Sequence, residues 1–483
     1  MATKASYGIG QLAEGIKNGC FNVYLFFFYS AVLGLDPKLV GIALFIALLF
    51  DAITDPLAGY LSDNWRSRWG RRHPFILAAA VPMAVSFYLL FSPPEFGQMG
   101  LFLWLVVFAV LTRGAMTLYY VPHLSLGAEL SPDFHERTTV VAYRYFSSYL
   151  GYMVSYGIGF GIFFAASESF ANGQFDRAAY SPFAMTLGAI MVLSILVCLA
   201  GTYHRIPYLQ QPGASMQLGT LRAIPLNLVR EIRSALSNRS FAWLFAGILV
   251  VFTMVGVDSA LNLHMNTYFW ELAGTENLAF FIASPVGFLI GAGFVRRCNE
   301  WFDKKPCMVI GTAGWALLQI VPVVLRLLEW FPENGSDTLL WTLVCFRFVQ
   351  GLVVCQALIT FNSMVPDIVD EHELHTGKRQ EGMFFAATSF SSKATQGLGT
   401  FFAGIALWLI GWPGGTEITS AAAVTPEHIT WLGLLFGPIV SGFAVLCLYF
   451  YSKHDLTRAR HAEIVEALAA RRARESVAAA GSE

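Results

Sequence analysis

A run of about twenty largely apolar residues is long enough to cross a bilayer as a helix. This chain holds twelve such runs, near 10–33, 37–61, 74–92, 99–129, 139–166, 181–202, 240–271, 277–296, 307–329, 338–366, 381–411 and 429–452. The length of 483 residues would otherwise be read as two or three soluble domains. Charged residues make up only 13% and mean hydropathy is +0.55, whereas a soluble protein carries roughly twice that charge. The expected fold class is an all-α membrane protein with twelve transmembrane helices. The first run opens on Gly-rich sequence with Glu14 and Lys17. It is too long and too polar for the apolar part of a signal peptide, so it is read as the first membrane helix.

The connections split by charge. One set carries Arg66, Arg68, Arg71 and Arg72, then Arg296, Arg297, Lys304 and Lys305, then Lys378 and Arg379. The opposite set is nearly bare of Lys and Arg. Positive charge collects on the cytoplasmic side, which puts both termini there, in a bacterial-type inner (plasma) membrane. Residues 203–239 are the longest polar break. They divide the chain into 1–202 and 240–452, two bundles of six helices, with a cytoplasmic loop between them and a tail at 453–483. The tail interleaves Arg458, Arg460, Arg471, Arg472 and Arg474 with Leu456, Ile464, Val465 and Leu468. It reads as an amphipathic helix, either lying on the leaflet or solvated.

A weak repeat supports the halving. Gly59–Pro74 (GYLSDNWRSRWGRRHP) and Gly291–Pro306 (GAGFVRRCNEWFDKKP) align without gaps, pairing Arg72 with Lys304 and Pro74 with Pro306. Duplicated halves with a midplane site between them are characteristic of secondary transporters.

Charge inside the membrane marks function by default, because it costs roughly 2.5–3.5 kcal/mol on insertion scales. Asp51 and Asp55 stand four apart in the second helix, which puts both carboxylates on one face. A bound cation or proton would relieve their repulsion. Arg113, Arg144, Arg347 and Lys393 are cations in apolar runs and candidate counter-ions for Asp51, Asp55 or Asp258. Glu14 and Lys17, three apart, could pair with each other. Asp258 and His264 in the seventh helix are candidate cavity residues. Tyr119, Tyr120 and His123 flank Pro122, an expected kink that could form an aromatic wall.

Other classes find little support. The net charge of -1 gives no bias toward nucleic acid. The seven cysteines form no CxxC pair, so neither a disulfide framework nor a zinc site is expected. His372 and His375 are three apart, not the four of the zinc-protease pattern. No nucleophilic triad, phosphate loop or redox motif appears, and a membrane enzyme is not expected. A non-transporting sensor would need an output domain that the short tail does not offer.

Two stretches carry a family resemblance. One runs from Asp51-Ala-Ile-Thr-Asp55-Pro56-Leu-Ala-Gly59 to Asp63, Arg68, Gly70, Arg71, Arg72 and Pro74. The other runs from Met364-Val-Pro-Asp367 through Asp370, Glu373, Gly377, Arg379, Glu381 and Gly382, with Lys393 following. Together with Glu136-Arg137-Thr138 and Tyr143-Arg144, they resemble the glycoside–pentoside–hexuronide:cation symporters of the major facilitator superfamily. The resemblance implies the major facilitator fold and cation-coupled transport by alternating access. It implies that Asp51 and Asp55 bind Na+ or H+, with the hydroxyls of Thr117 and Ser389 nearby and Lys393 between cation and substrate. Lys17, Tyr120, His123, Arg144, Asp258, His264 and Lys393 are the candidate substrate residues. Asp63, Arg68, Arg71, Arg72, Asp367, Asp370, Glu373, Arg379 and Glu381 are read as a cytoplasmic gate whose ion pairs exchange as the halves rock. No cofactor beyond the coupling ion is expected, and the protein is read as a monomer.

The sequence departs from the family's melibiose permease at two sugar-binding aspartates, where Gly15 and Tyr120 stand. Glu14 is one residue from the first, about 100° around a regular helix. The expected substrate is a sugar or glycoside, with a lysophospholipid or other amphiphile as the alternative.

Overall fold

The computed structural model describes residues 2–130, 134–167, 170, 172–209, 230, 232–377, 380–413, 420–454 and 457–480. The described residues are helical throughout, with no strand among them. Nine helices among them are long and apolar enough to cross a membrane. These are α2 (Pro37–Asn64), α3 (His73–Leu90), α4 (Gln98–Glu129), α6 (Arg177–Tyr208), α7 (Arg239–Phe269), α8 (Gly274–Ala292), α9 (Lys304–Leu327), α10 (Asp337–Thr376) and α12 (Pro426–Ser452). The other expected runs are also helical: α1 over residues 2–32, α5 over 134–163 and α11 (Glu381–Leu409).

Local chemistry sets the helix ends. Asp36 accepts the Lys38 N–H at 2.8 Å and Pro37 takes the first turn of α2. Ser336 caps α10 by accepting the Leu339 N–H at 3.2 Å. Helix α10 runs ten residues beyond the expected stop at 366. Pro366 lies inside it, and the helix ends only where Gly377 takes a left-handed conformation, φ 72°. Asp367, Asp370 and Glu373 are therefore helical residues rather than loop residues.

The tail forms a helix, α13 (Arg458–Ala480). One stripe of it docks on the protein, while most of its described side chains are exposed. Ile464 and Leu468 are buried in the cluster that also holds Met364, Val365 and Ile368 of α10. Arg458 Nη2 donates to the Asn299 and Glu300 carbonyls, which end the short helix Val295–Phe302. His461 Nε2 lies 3.1 Å from Asp370 Oδ2.

The end of the molecule carrying the chain termini is here the terminal end. At the opposite end, α1 and α7 meet through buried side chains. Ser30 Oγ lies 3.0 Å from His264 Nε2, and the Phe27 and His264 rings are 5.0 Å apart. Gln174 donates to Thr267 Oγ1 at 2.5 Å. Phe160 stacks on Phe281 with ring centres 5.4 Å apart. Cavities lie between this seal and the terminal end.

Candidate cation and substrate site

Helices α2 and α4 both start at the sealed end and run side by side. Four-residue steps on one therefore match four-residue steps on the other. Arg113 Nη1 donates to Asp51 Oδ2 at 2.6 Å, and Thr117 Oγ1 donates to Asp55 Oδ1 at 2.7 Å. All four side chains line a cavity of about 280 Å³, with Glu14, Lys17, Asn18, Phe21, Asn22 and Tyr120. The Asp51 and Arg113 side chains are only 9% and 15% exposed.

A second cavity, of about 390 Å³, shares Glu14, Asn18, Asn22 and Val255 with the first. Its walls are aromatic: Tyr149, Tyr152 and Tyr156 of α5, Phe281 and Phe288 of α8, and Trp315 of α9. Asp258 and Arg347 face it across the group. Asp258 accepts from Arg347 Nη2 at 3.0 Å, from Gln319 at 2.9 Å and from Asn262 at 3.4 Å. Gln350 closes a ring by donating to Gln319 at 2.7 Å and accepting from Arg347.

Glu14 is the main residue that sequence reasoning missed. Its carboxylate lines both cavities and accepts from Asn18, from Gln11 at 3.0 Å and from Ser148 at 2.9 Å. The expectation that Glu14 points away from the site is corrected here. Gly15 is where α1 packs against α5. A Cβ there would collide with the Ser148 carbonyl and stand 3.0 Å from Gly151 Cα. With Gly15 against α5, its neighbour faces the cavity. Glu14, Asn18 and Asn22 form a four-residue stripe, legible in the sequence. Each step advances about 40° on a regular helix, and the wider π turn Cys20–Tyr24 falls where that drift would accumulate.

Among the other predicted residues, Lys17 and Tyr120 line the first cavity and Asp258 the second. Three predicted substrate residues lie elsewhere. His123 is fully buried, donates from Nε2 to the Tyr7 carbonyl at 3.0 Å and stacks on Tyr7 at 4.3 Å. It packs α1 against α4. His264 belongs to the seal, between Ser30, Phe27, Tyr268 and Trp412. Both were read as cavity residues because a polar group in an apolar run marks burial as readily as ligand contact. Arg144 lies over the Tyr145 ring at 5.0 Å and lines neither cavity. The side chains of Ser389 and Lys393 lie outside the described residues.

The expected gate residues pair within each half. Arg71 and Arg72 both reach Glu129 at the end of α4, at 2.7 and 3.1 Å, and Arg72 also meets Asp63. In the second half Lys304 holds Asp367 at 2.6 Å. The repeat that aligned Arg72 with Lys304 thus matches two equivalent braces. Asp370 meets His461 of the tail, and Arg68 lies over the Trp69 ring at 5.7 Å. Glu373 and Glu381 also have polar partners, and Arg379 lies outside the described residues. Glu129 carried no sequence signal beyond its place at a helix end.

A paired-acid cavity beside an aromatic one, between helices of two repeats, is the arrangement of a solute carrier. The MFS/sugar transport protein family model matches residues 6–458. The chain belongs to this family. It is a multi-pass integral membrane transporter with the major facilitator fold. The MFS chain is 24% identical to the putative glycoside/cation symporter YagG of Escherichia coli, over 93% of this chain and 92% of that one. It is 24% identical to the sodium-dependent lysophosphatidylcholine symporter 1 of Gallus gallus, over 97% and 89%. Among solved structures, nucleoside transporter NupG superposes with a TM-score of 0.62 at 13% identity, covering 94% of this chain and all of that one.

Proposed function

We propose that this MFS transporter is a symporter that uses Na+ or H+ to carry a sugar or glycoside by alternating access. The observation that carries the reading is the contact between the two cavities. The first offers two carboxylates and a hydroxyl, oxygen ligands that suit a hard cation or a proton. The second offers flat aromatic faces flanked by Asn, Asp, Glu and Arg, which suit a ring with many hydroxyls. Shared walls at Glu14, Asn18 and Asn22 bring cation and solute into contact.

In this reading Asp51 and Asp55 bind the cation and Thr117 orients Asp55. Glu14, Lys17, Asn18, Tyr120 and the α5 tyrosines bind the solute. Residues 1–202 and 240–452 are the two rocking bodies, with twelve spans in all. The termini lie in the cytoplasm of a plasma membrane, so the sealed end faces outward. The Arg72–Glu129 and Lys304–Asp367 braces stiffen each half, and the monomer is sufficient. An amphiphile such as a lysophospholipid fits less well, because an acyl chain would have to displace the charged walls of the first cavity.

The test is uptake into proteoliposomes from a panel of mono- and disaccharides, glucuronides and lysophospholipids, under separate Na+ and H+ gradients. A saccharide should accumulate against its gradient with one of the two ions. Asp55→Asn should insert normally and lose that accumulation while retaining exchange. Uphill transport undiminished in Asp55→Asn would refute the cation site. Accumulation of lysophospholipid alone would refute the sugar assignment.

A further inference from the structure

Asp51 faces competition between two cations. The carboxylate that stands with Asp55 at the proposed ion site already carries Arg113, with Nη1 2.6 Å from Oδ2. A Na+ or a proton bound there must share one carboxylate with a guanidinium. Positive charges that close disfavour each other.

Four features mark this guanidinium as exchangeable. The pair is single-pronged, whereas a fixed Arg–carboxylate strut is usually two-pronged. Asp51 Oδ1 and Arg113 Nε are both buried without a hydrogen-bond partner among the described residues. Each member thus keeps one polar atom for another ligand. Arg113 also rests on an aromatic face while it pairs with Asp51. Its guanidinium carbon lies 5.2 Å from the Phe21 ring centre, and Lys17 Nζ lies 5.4 Å from the same ring. Finally, Arg113 is on the cavity wall, where the other ionisable groups among the described residues are Glu14, Lys17, Asp51, Asp55 and Tyr120. A guanidinium leaving Asp51 remains beside the solute.

We infer that Arg113 is a tethered competitor for the coupling cation, displaced from Asp51 when the cation binds and then turned toward the solute. This rests on the assignment of Asp51 and Asp55 as the cation site. Its consequence is coupling without a large movement. The cation frees a donor for the solute, and a solute that holds Arg113 removes the cation's rival. Linkage makes the two effects equal.

The test uses purified full-length protein in nanodiscs. Carbodiimide modification of the peptide carrying Asp51 and Asp55 is read by mass spectrometry across NaCl concentration and across pH. The reagent attacks a protonated carboxyl, and bound Na+ protects it. In Arg113→Gln, half-protection by NaCl or half-modification by protons should need about tenfold less cation, as removal of one adjacent charge predicts. Arg113→Lys should return the midpoint toward wild type, which a packing defect would not do. An unchanged or higher cation requirement in Arg113→Gln overturns the inference. Should that variant fail to fold, Arg113→Met, which keeps a long side chain without the charge, should lower the cation requirement by the same factor. No change in Arg113→Met would then overturn the inference. Asp55→Asn separates the two ideas. If it abolishes the cation response while Arg113→Gln leaves the midpoint in place, the site stands and the competitor falls. If Asp55→Asn responds like wild type, the site itself falls.

Discussion

Two aspartate–arginine pairs face the cavities from opposite halves, and they are built differently. Burial does not separate them: the side chains are 9% and 15% exposed in Asp51–Arg113, and 10% and 13% in Asp258–Arg347. Partners do. Asp258 takes hydrogen bonds from Arg347, Gln319 and Asn262, and Gln350 closes the ring. Asp51 has Arg113, and its second oxygen has no hydrogen-bond partner among the described residues. A buried charge with every lone pair occupied is held in place. One with a lone pair to spare can trade its counter-ion. The comparison divides the site into a fixed wall in the second half and an exchangeable one in the first.

The largest effect should come from breaking the fixed wall. Asp258→Ala leaves Arg347, Gln319 and Asn262 without their shared acceptor. It should lower stability by about 3–5 kcal/mol, the usual cost of orphaning one member of a buried ion pair. Asp51→Ala orphans only Arg113, which has Phe21 beside it, and should lower stability by roughly 1–2 kcal/mol while abolishing cation-driven uptake. Thermal unfolding in matched detergent compares the two, and equal losses would erase the distinction. The double variant Asp258→Asn/Arg347→Gln keeps the shape of the ring without its charges. It should recover to within about 1.5 kcal/mol of wild type, because replacing a whole buried pair costs far less than halving it.

A smaller effect tests the correction on α1. Gly15→Ala places a methyl against the Ser148 carbonyl, so overpacking by about 1–3 kcal/mol should reduce folded protein. Glu14→Gln should leave folding nearly intact and weaken solute uptake. If Gly15→Ala folds normally and Glu14→Gln transports normally, the two positions have been assigned the wrong roles.

How much of this was legible depends on which physics each feature answers to. The helical membrane fold follows from apolar run length, and the acidic pair follows from the cost of charge in lipid. Those penalties are local, so the sequence displays them. Pairing is not local. Arg113, Arg347, Asp51 and Asp258 were all visible as intramembrane charges, but their matching requires knowing that α2 packs beside α4 and that α7 faces α10. Glu14 was misjudged because a fixed angle per residue ignores which neighbour must pack: Gly15 takes the close approach to α5, which turns Glu14 inward. The end of α10 was misread at Pro366, since a proline inside a long packed helix is tolerated when neighbouring groups satisfy the freed carbonyl. The tail's docking was invisible for a different reason. Ile464 and Leu468 have the spacing of any amphipathic helix, and only the exposed ends of α10 and Val295–Phe302 select the surface that it covers.

The smallest expected change sharpens the exchangeable wall. Thr117 donates one hydroxyl to Asp55 at 2.7 Å, and the donor holds that carboxylate opposite Asp51. Thr117→Val keeps the shape and removes the donor. A hydrogen bond to a charged acceptor contributes about 1.5 kcal/mol at the low end of its usual range, so the cation concentration for half-maximal uptake should change by roughly tenfold. Its direction is informative. If the hydroxyl serves the cation directly, as an oxygen ligand, the required concentration rises for Na+ and stays near wild type for a proton. If it only steadies Asp55 as an ion, Thr117→Val makes that carboxyl easier to protonate, and the proton concentration required falls. Thr117→Ser restores the donor and should return either value to wild type. No change in Thr117→Val under either ion would mean that Asp55 is not the group that binds the cation, and the contrast between the two walls would then rest on Asp51 alone.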